Sequence, residues 1–248
     1  MRNRGFTLVE LLAVAVVMII LSALVVTACW RAYQRSSLAI SANNIRVLAV
    51  GGSQYLTDHD YTYWKYREDD AFGTTWWWGY ETYASQSSGE GNRTFDANRG
   101  PLAGCIPTRL QPDPSFSMSG NAFKPKYKSG YIGIGYNVVL GGGFWGSTKK
   151  PLKPLRYWQL SNPAKVVIFA TSAQVYPFSS GKEPKIEEFY GINETEITVH
   201  FRHGGLAMVG FADGSAGFLP MDKSTLDPRA PKANVGRFAP VGSMKYLQ

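Results

Sequence analysis

Residues 1–14 read MRNRGFTLVELLAV, and the chain continues from Leu11 to Ala28 as LLAVAVVMIILSALVVTA, with Ser22 and Thr27 as mild polar interruptions. Between Phe6 and Trp30 the only charged residue is Glu10. At 1.5 Å per residue, Leu11 to Ala28 rises about 27 Å as a helix, close to a bilayer hydrocarbon core of about 30 Å. Arg2 and Arg4 precede the run without an acidic partner. The positive-inside rule places this terminus in the cytoplasm and the remainder outside. Arg31 and Arg35 follow the run, which weakens the asymmetry without reversing it. A carboxylate in lipid is costly unless it is paired, so Glu10 calls for a partner.

Three readings compete. A secretory signal peptide has a shorter apolar stretch and small residues before its cut. The segment LVVTAC at Leu24–Cys29 matches that pattern, and the lipoprotein one, only weakly. A plain single-span anchor leaves Glu10 unexplained. Cleavage after Gly5 explains it: Phe6 then carries a new terminal amine four residues from Glu10. The amine of one subunit can meet Glu10 of a neighbour, each charge lowering the burial cost of the other. Such pairing favours subunits stacked in register.

The stretch RGFTLVELL resembles the prepilin-type cleavage and methylation motif of type IV pilins and type II secretion pseudopilins. It combines a basic leader, Gly5, Phe6, Thr7 and Glu10 with the apolar helix that follows. The resemblance implies cleavage between Gly5 and Phe6 by a membrane-embedded prepilin peptidase, methylation of the Phe6 amine, and registration of subunits by Glu10. It also implies an assembly platform and minor pilins as partners. Members of this superfamily often carry a proline near the end of the apolar run. Here Thr27 occupies that place and no proline occurs before Pro101, so a kink there is not expected.

The helix is expected to continue past Arg31. Leu38, Ile45, Leu48 and Tyr55 or Leu56 recur at a helical period, although Gly51 and Gly52 weaken it and Asp58–Asp60 end it. A helix from about Thr7 to Leu56 has a first half apolar all round and a second half amphipathic, fit to pack on a head. Asn43 and Asn44 are expected to face solvent or neighbouring subunits. The resulting fold class is α+β, a pilin-like lollipop with the long helix packed on an antiparallel β-sheet head. Its expected divisions are a leader at 1–5, a filament-core helix at 6–30, an amphipathic continuation at 31–57 and a head at 58–248.

The segment Tyr61–Tyr83, YTYWKYREDDAFGTTWWWGYETY, is dense in aromatics. Trp76, Trp77 and Trp78 cannot all face one side of a strand or helix. The plain expectation is core and subunit packing; the alternative is a surface on which exposed rings contact a glycan. The run Arg67–Asp70 offers carboxylates to calcium but lacks regular ligand spacing, so a solvated turn is the simpler reading and no cofactor is required.

Composition supports a folded head. The 248 residues are 44% hydrophobic, enough for one good-sized core or two small ones. The net charge of +8 permits an anionic partner without demanding one; spread lysines read as a solvated face, and nucleic acid is not favoured. Cys29 and Cys105 form no metal-type pair, and bridging them needs an awkward approach. His59, His200 and His203 have no structural-zinc spacing.

Farther on, strands are expected at Tyr131–Leu140, Pro163–Phe169, Ile197–Phe201 and Leu206–Phe211. Hairpin turns are expected at Gly204–Gly205 and Asp213–Gly214, which makes the last part a three-stranded antiparallel meander. His203, nine intervening residues, then Asp213–Gly214 is similar to the H-X9-DG processing-associated domain that accompanies prepilin leaders. SNPAKVVIFA and GYIGIGYNVV resemble strands of that same family. His203 with Asp213 has the chemistry of a base and its orienter, but no nucleophile or third metal ligand is in evidence, so a turn role is expected and an enzyme is not. The tail after Pro220 reads as an ordered wrap or an exposed arm. The function implied is a filament subunit that waits in the inner membrane with its head periplasmic, then enters a surface or periplasmic filament. The alternative is a tip subunit or anchored adhesin that binds glycan through residues 61–83.

Overall fold

The structure is a computed structural model. It describes residues 7–106, 110–113, 116, 122–128, 132–143, 153–177, 183–193 and 196–239. Gly5, Phe6, Tyr131 and the tail beyond Ala239 lie outside the described residues. The chain divides into two compact units, residues 1–39 and 40–248.

The first unit is the beginning of one uninterrupted helix, α1, Leu8–Asp58. No proline or π-bulge interrupts it, in keeping with the absence of proline before residue 101. From Leu8 to Val26 its large apolar side chains are exposed, from 48% at Val16 to 82% at Leu8. The two hydroxyls in this stretch bond back to their own helix. Ser22 Oγ donates to the Met18 and Ile19 carbonyls, and Thr27 Oγ1 to Leu24 O at 2.9 Å, so neither leaves an unsatisfied donor in an apolar setting.

The second unit holds the end of α1 and an α+β head. Ser41, Ile45, Leu48, Ala49, Gly52 and Leu56 are buried on one stripe of the helix, the period expected of an amphipathic face. The glycines that weaken the pattern are helical and buried. A Cβ on Gly52 would stand 3.0 Å from the Trp64 ring, so glycine there lets that ring close on the helix. Asn44 departs from expectation. It is buried and clamps a loop, its Nδ2 donating to Gln111 O at 2.7 Å and its Oδ1 accepting from Gln111 N at 3.0 Å. Asn43 is exposed.

Among the described residues three sheets follow. Strands β1 (Arg67–Asp69), β2 (Gly73–Trp76) and β3 (Gly79–Thr82) form an antiparallel meander, and α2 is a single turn, Tyr83–Ser87. β4 (Ala122–Lys124), β7 (Gln174–Tyr176) and β8 (Lys185–Glu187) make a second small sheet in the order β4-β8-β7. The main sheet comprises β5 (Ile134–Asn137), β6 (Val167–Thr171), β9 (Gly191–Ile192), β10 (Val199–His200), β11 (Leu206–Phe211), β12 (Ala216–Asp222) and β13 (Val235–Phe238), ordered β10-β13-β12-β11-β6-β5-β9. Its edge curls back on itself: Ser172 bridges Val199, and Thr171 Oγ1 donates to His200 O at 2.8 Å. The β1-β2-β3 sheet is purely antiparallel, whereas the other two are mixed, because β4 with β8 and β5 with β9 run parallel.

One face of the main sheet packs Tyr136, Ile168, Phe169 and Met208 against Ile45, Leu48 and Leu56 of α1. The other gathers Val167, Ala170, Val199, Phe201, Ala207 and Val209. Both faces are covered, so β6 is buried at all five positions and reads as the apolar run VIFA closed by Thr171 rather than as an alternation. The expected meander needs correction. β11 and β12 do form a hairpin, but β10 pairs with β13, contributed by the tail. The tail is thus an ordered wrap as far as Ala239, and the strand expected over Tyr131–Leu140 shortens to Ile134–Asn137, with Val138–Leu140 in a turn.

Candidate functional site

At the head of α1, Thr7 and Glu10 form a capping box. Thr7 N donates to Glu10 Oε2 at 2.9 Å and Thr7 Oγ1 to the same oxygen at 2.8 Å, while Glu10 N donates to Thr7 Oγ1 at 3.2 Å. Leu11 N donates to Thr7 O at 3.1 Å. Two otherwise orphaned N–H groups are satisfied, and the carboxylate sits where the helix dipole favours negative charge. Glu10 thus has partners within its own chain, all on Oε2 among the described residues. The signal was legible as T-x-x-E ahead of an apolar run, and Thr7 is the residue missed as its cap.

The tryptophan triplet spans the end of β2 and the turn into β3, and its three rings do not share one side. Trp77 is buried and its Nε1 donates to Tyr190 O at 2.5 Å. Trp76 and Trp78 lie half-buried on the other side, stacked at 5.0 Å between centroids. Trp78 also stacks on Tyr190 at 4.3 Å, and the Arg67 guanidinium lies over Trp76 at 5.3 Å. These rings wall a recess of about 260 Å³ whose rim includes Arg67, Gln86, Arg93 and Lys126. Beneath it Glu81, fully buried, is a hub. It takes a fork from Arg93 at 2.7 and 2.6 Å, Trp76 Nε1 at 3.3 Å and the Tyr127 hydroxyl at 3.3 Å. Burial pushes the Tyr127 and Tyr190 phenols well above their ordinary range. Burial also raises the neighbouring Glu188 to about 7, although the Tyr190 hydroxyl donates to it at 2.6 Å. Arg93, Lys126 and Tyr190 come from distant parts of the chain, so no local pattern announces them.

The acidic run before the triplet is occupied by the protein itself. Asp69 accepts from Arg67 and from Thr74 at 2.8 Å. Asp70 Oδ1 accepts from the backbone N–H of Phe72 and Gly73 and from the Tyr80 hydroxyl at 3.0 Å. Among the described residues no group of three His, Cys, Asp or Glu is placed to hold a metal.

His203 and Asp213 stand at opposite ends of β11. His203 exchanges backbone hydrogen bonds with Leu206 at 3.1 Å around Gly204 and Gly205, whose φ values of +64° and +83° suit glycine. Asp213 Oδ1 accepts from Ser215 N at 2.9 Å and Ser215 Oγ at 2.6 Å, closing the turn at Gly214. Five strand steps at about 3.4 Å separate the two turns by roughly 17 Å, beyond any base–orienter contact. His200 is buried beside Phe116 and accepts from Arg202 at 3.4 Å. Arg202 pairs with the buried Asp113 at 3.0 Å, which also accepts from Ser41 of α1. Burial, reinforced by Arg202, holds His200 well below its ordinary pKa and His203 at about 4. Cys29 and Cys105 are unbonded.

A family model described as the prokaryotic N-terminal methylation motif matches residues 1–26. Comparison with curated proteins and with solved structures gave no match. The chain therefore joins a prepilin-type N-terminal motif and one helix long and apolar enough to cross a membrane to an α+β head on which the end of that helix packs.

Proposed function

We propose that the protein is a subunit of a helical filament of the type IV pilus or type II pseudopilus kind. Cleavage after Gly5 and methylation of Phe6 by a prepilin peptidase release it for assembly. Before assembly it spans the inner membrane once, amino terminus in the cytoplasm and head in the periplasm; afterwards it stands in a surface or periplasmic filament. An assembly platform and minor pilins are its expected partners. The chain itself catalyses no reaction.

The observation that carries this reading is a helix whose apolar side chains from Leu8 to Val26 are all exposed and whose start carries one carboxylate. So large an apolar surface demands lipid or neighbouring helices. The capping box does not remove the case for an intermolecular pair. It neutralises no charge, and a neighbour's Phe6 amine would. Mass spectrometry of protein recovered from cells containing the peptidase is expected to show a chain beginning at N-methyl-Phe6. A chain retaining Met1, or one lipidated at Cys29, would contradict the processing step.

A further inference from the structure

We propose that the recess walled by Trp76, Trp78 and Phe189 binds a single carboxylate-bearing ring, of the kind a hexuronate residue presents in an acidic polysaccharide. The proposal deepens the glycan-binding alternative and stands whether or not α1 polymerises, because every residue it uses lies in the head.

Charge decides the sign of the ligand. Three cations line the recess and no carboxylate does. Two of them are already matched, Arg67 by Asp69 at 2.8 Å and Arg93 by Glu81. The Lys126 ammonium has no carboxylate within ion-pair distance among the described residues; it lies 5.7 Å from the Phe189 ring centroid. Burial lowers its pKa, an effect that the more distant Glu187 and Glu188 oppose. A desolvated cation without a direct counter-ion gains most from an anion that reaches it. One uncompensated charge fits a monoanion better than a phosphate dianion.

Shape and polarity decide the body. A volume of about 260 Å³ lies just below the roughly 300–1,000 Å³ of pockets for drug-sized ligands, so one ring fits and an oligosaccharide would extend into solvent. The walls are pre-formed: Trp78 is fixed between Trp76 and Tyr190. Gln86 brings an amide to the rim. Aromatic walls with a few hydrogen-bonding groups suit a ring that has apolar C–H faces and polar edges.

The test is titration of the full chain in detergent micelles with sodium D-glucuronate, followed by tryptophan fluorescence and calorimetry. Saturable binding is expected, with D-glucose binding at least tenfold more weakly. Lys126→Gln should weaken glucuronate roughly tenfold, the loss of one charge-assisted contact, and Lys126→Arg should restore it to within a few-fold. The proposal is overturned by absent glucuronate saturation, by equal binding of glucose, or by inorganic phosphate competing as tightly as glucuronate. It is also overturned if Lys126→Gln, folded by circular dichroism, binds like the parent. Should Lys126→Gln not fold, Lys126→Arg and the glucose and phosphate arms still decide it.

Discussion

The two parts of α1 use the same residue types for opposite ends. In the apolar run from Leu8 to Thr27, Ser22 and Thr27 return their hydroxyls to their own helix and the leucines are exposed. After it, Ser41 and Asn44 reach across to Asp113 and Gln111, and Ile45 and Leu48 are fully buried. The first part satisfies itself and leaves an apolar surface for something else to cover. The second is satisfied only by the head. One continuous helix is thus written for two solvents, and the change lies in the side chains rather than in any backbone break.

The largest expected effect breaks the second part. Asp113→Ala leaves Arg202 buried without its carboxylate and Ser41 without its acceptor, and should cost the head about 3–5 kcal/mol, read by chemical denaturation. Next, Leu48→Ala should cost about 2–5 kcal/mol, whereas Leu21→Ala in the first part should leave the head's unfolding midpoint unchanged. Equal losses from the two leucines would erase the distinction between the halves.

The smallest effect is a pH dependence internal to the head. His200 and His203 have folded pKa values below 6.5, so the unfolded chain binds more protons and stability falls as pH drops from about 6.5 toward 4. Glu188 acts oppositely. Its folded value is raised from 4.5 to about 7, so its contribution is full below 4.5 and is lost as pH rises through 7. The two trends partly cancel. Glu188→Gln removes one of them, so Tm should rise more steeply between pH 5 and 7 in the variant than in the parent. An unchanged slope would mean that Glu188 is not titrating in this window.

Much of this arrangement was legible. The helix and its two characters followed from the apolar run and the 3.6-residue period, because both are local. The Gly204–Gly205 and Asp213–Gly214 turns were legible for the same reason. The pairing of β10 with β13 was not, since chain proximity favoured β11 and only tertiary packing selects the tail strand. Asn44 misled because a polar residue in a helix reads as solvent-facing unless its partner, Gln111, is known. That the three tryptophans would not share one face followed from their being consecutive, but the recess did not: Lys126 and Tyr190 reach it only through the fold.

The most direct test of the filament account is a density map of the assembled protein at side-chain resolution. The account predicts the Glu10 carboxylate within about 4 Å of the Phe6 amine of an adjacent subunit, an ion-pair distance, with the helices from Leu8 to Val26 packed against one another. Glu10 bonded to Thr7 alone, with no neighbouring amine in reach, would contradict it.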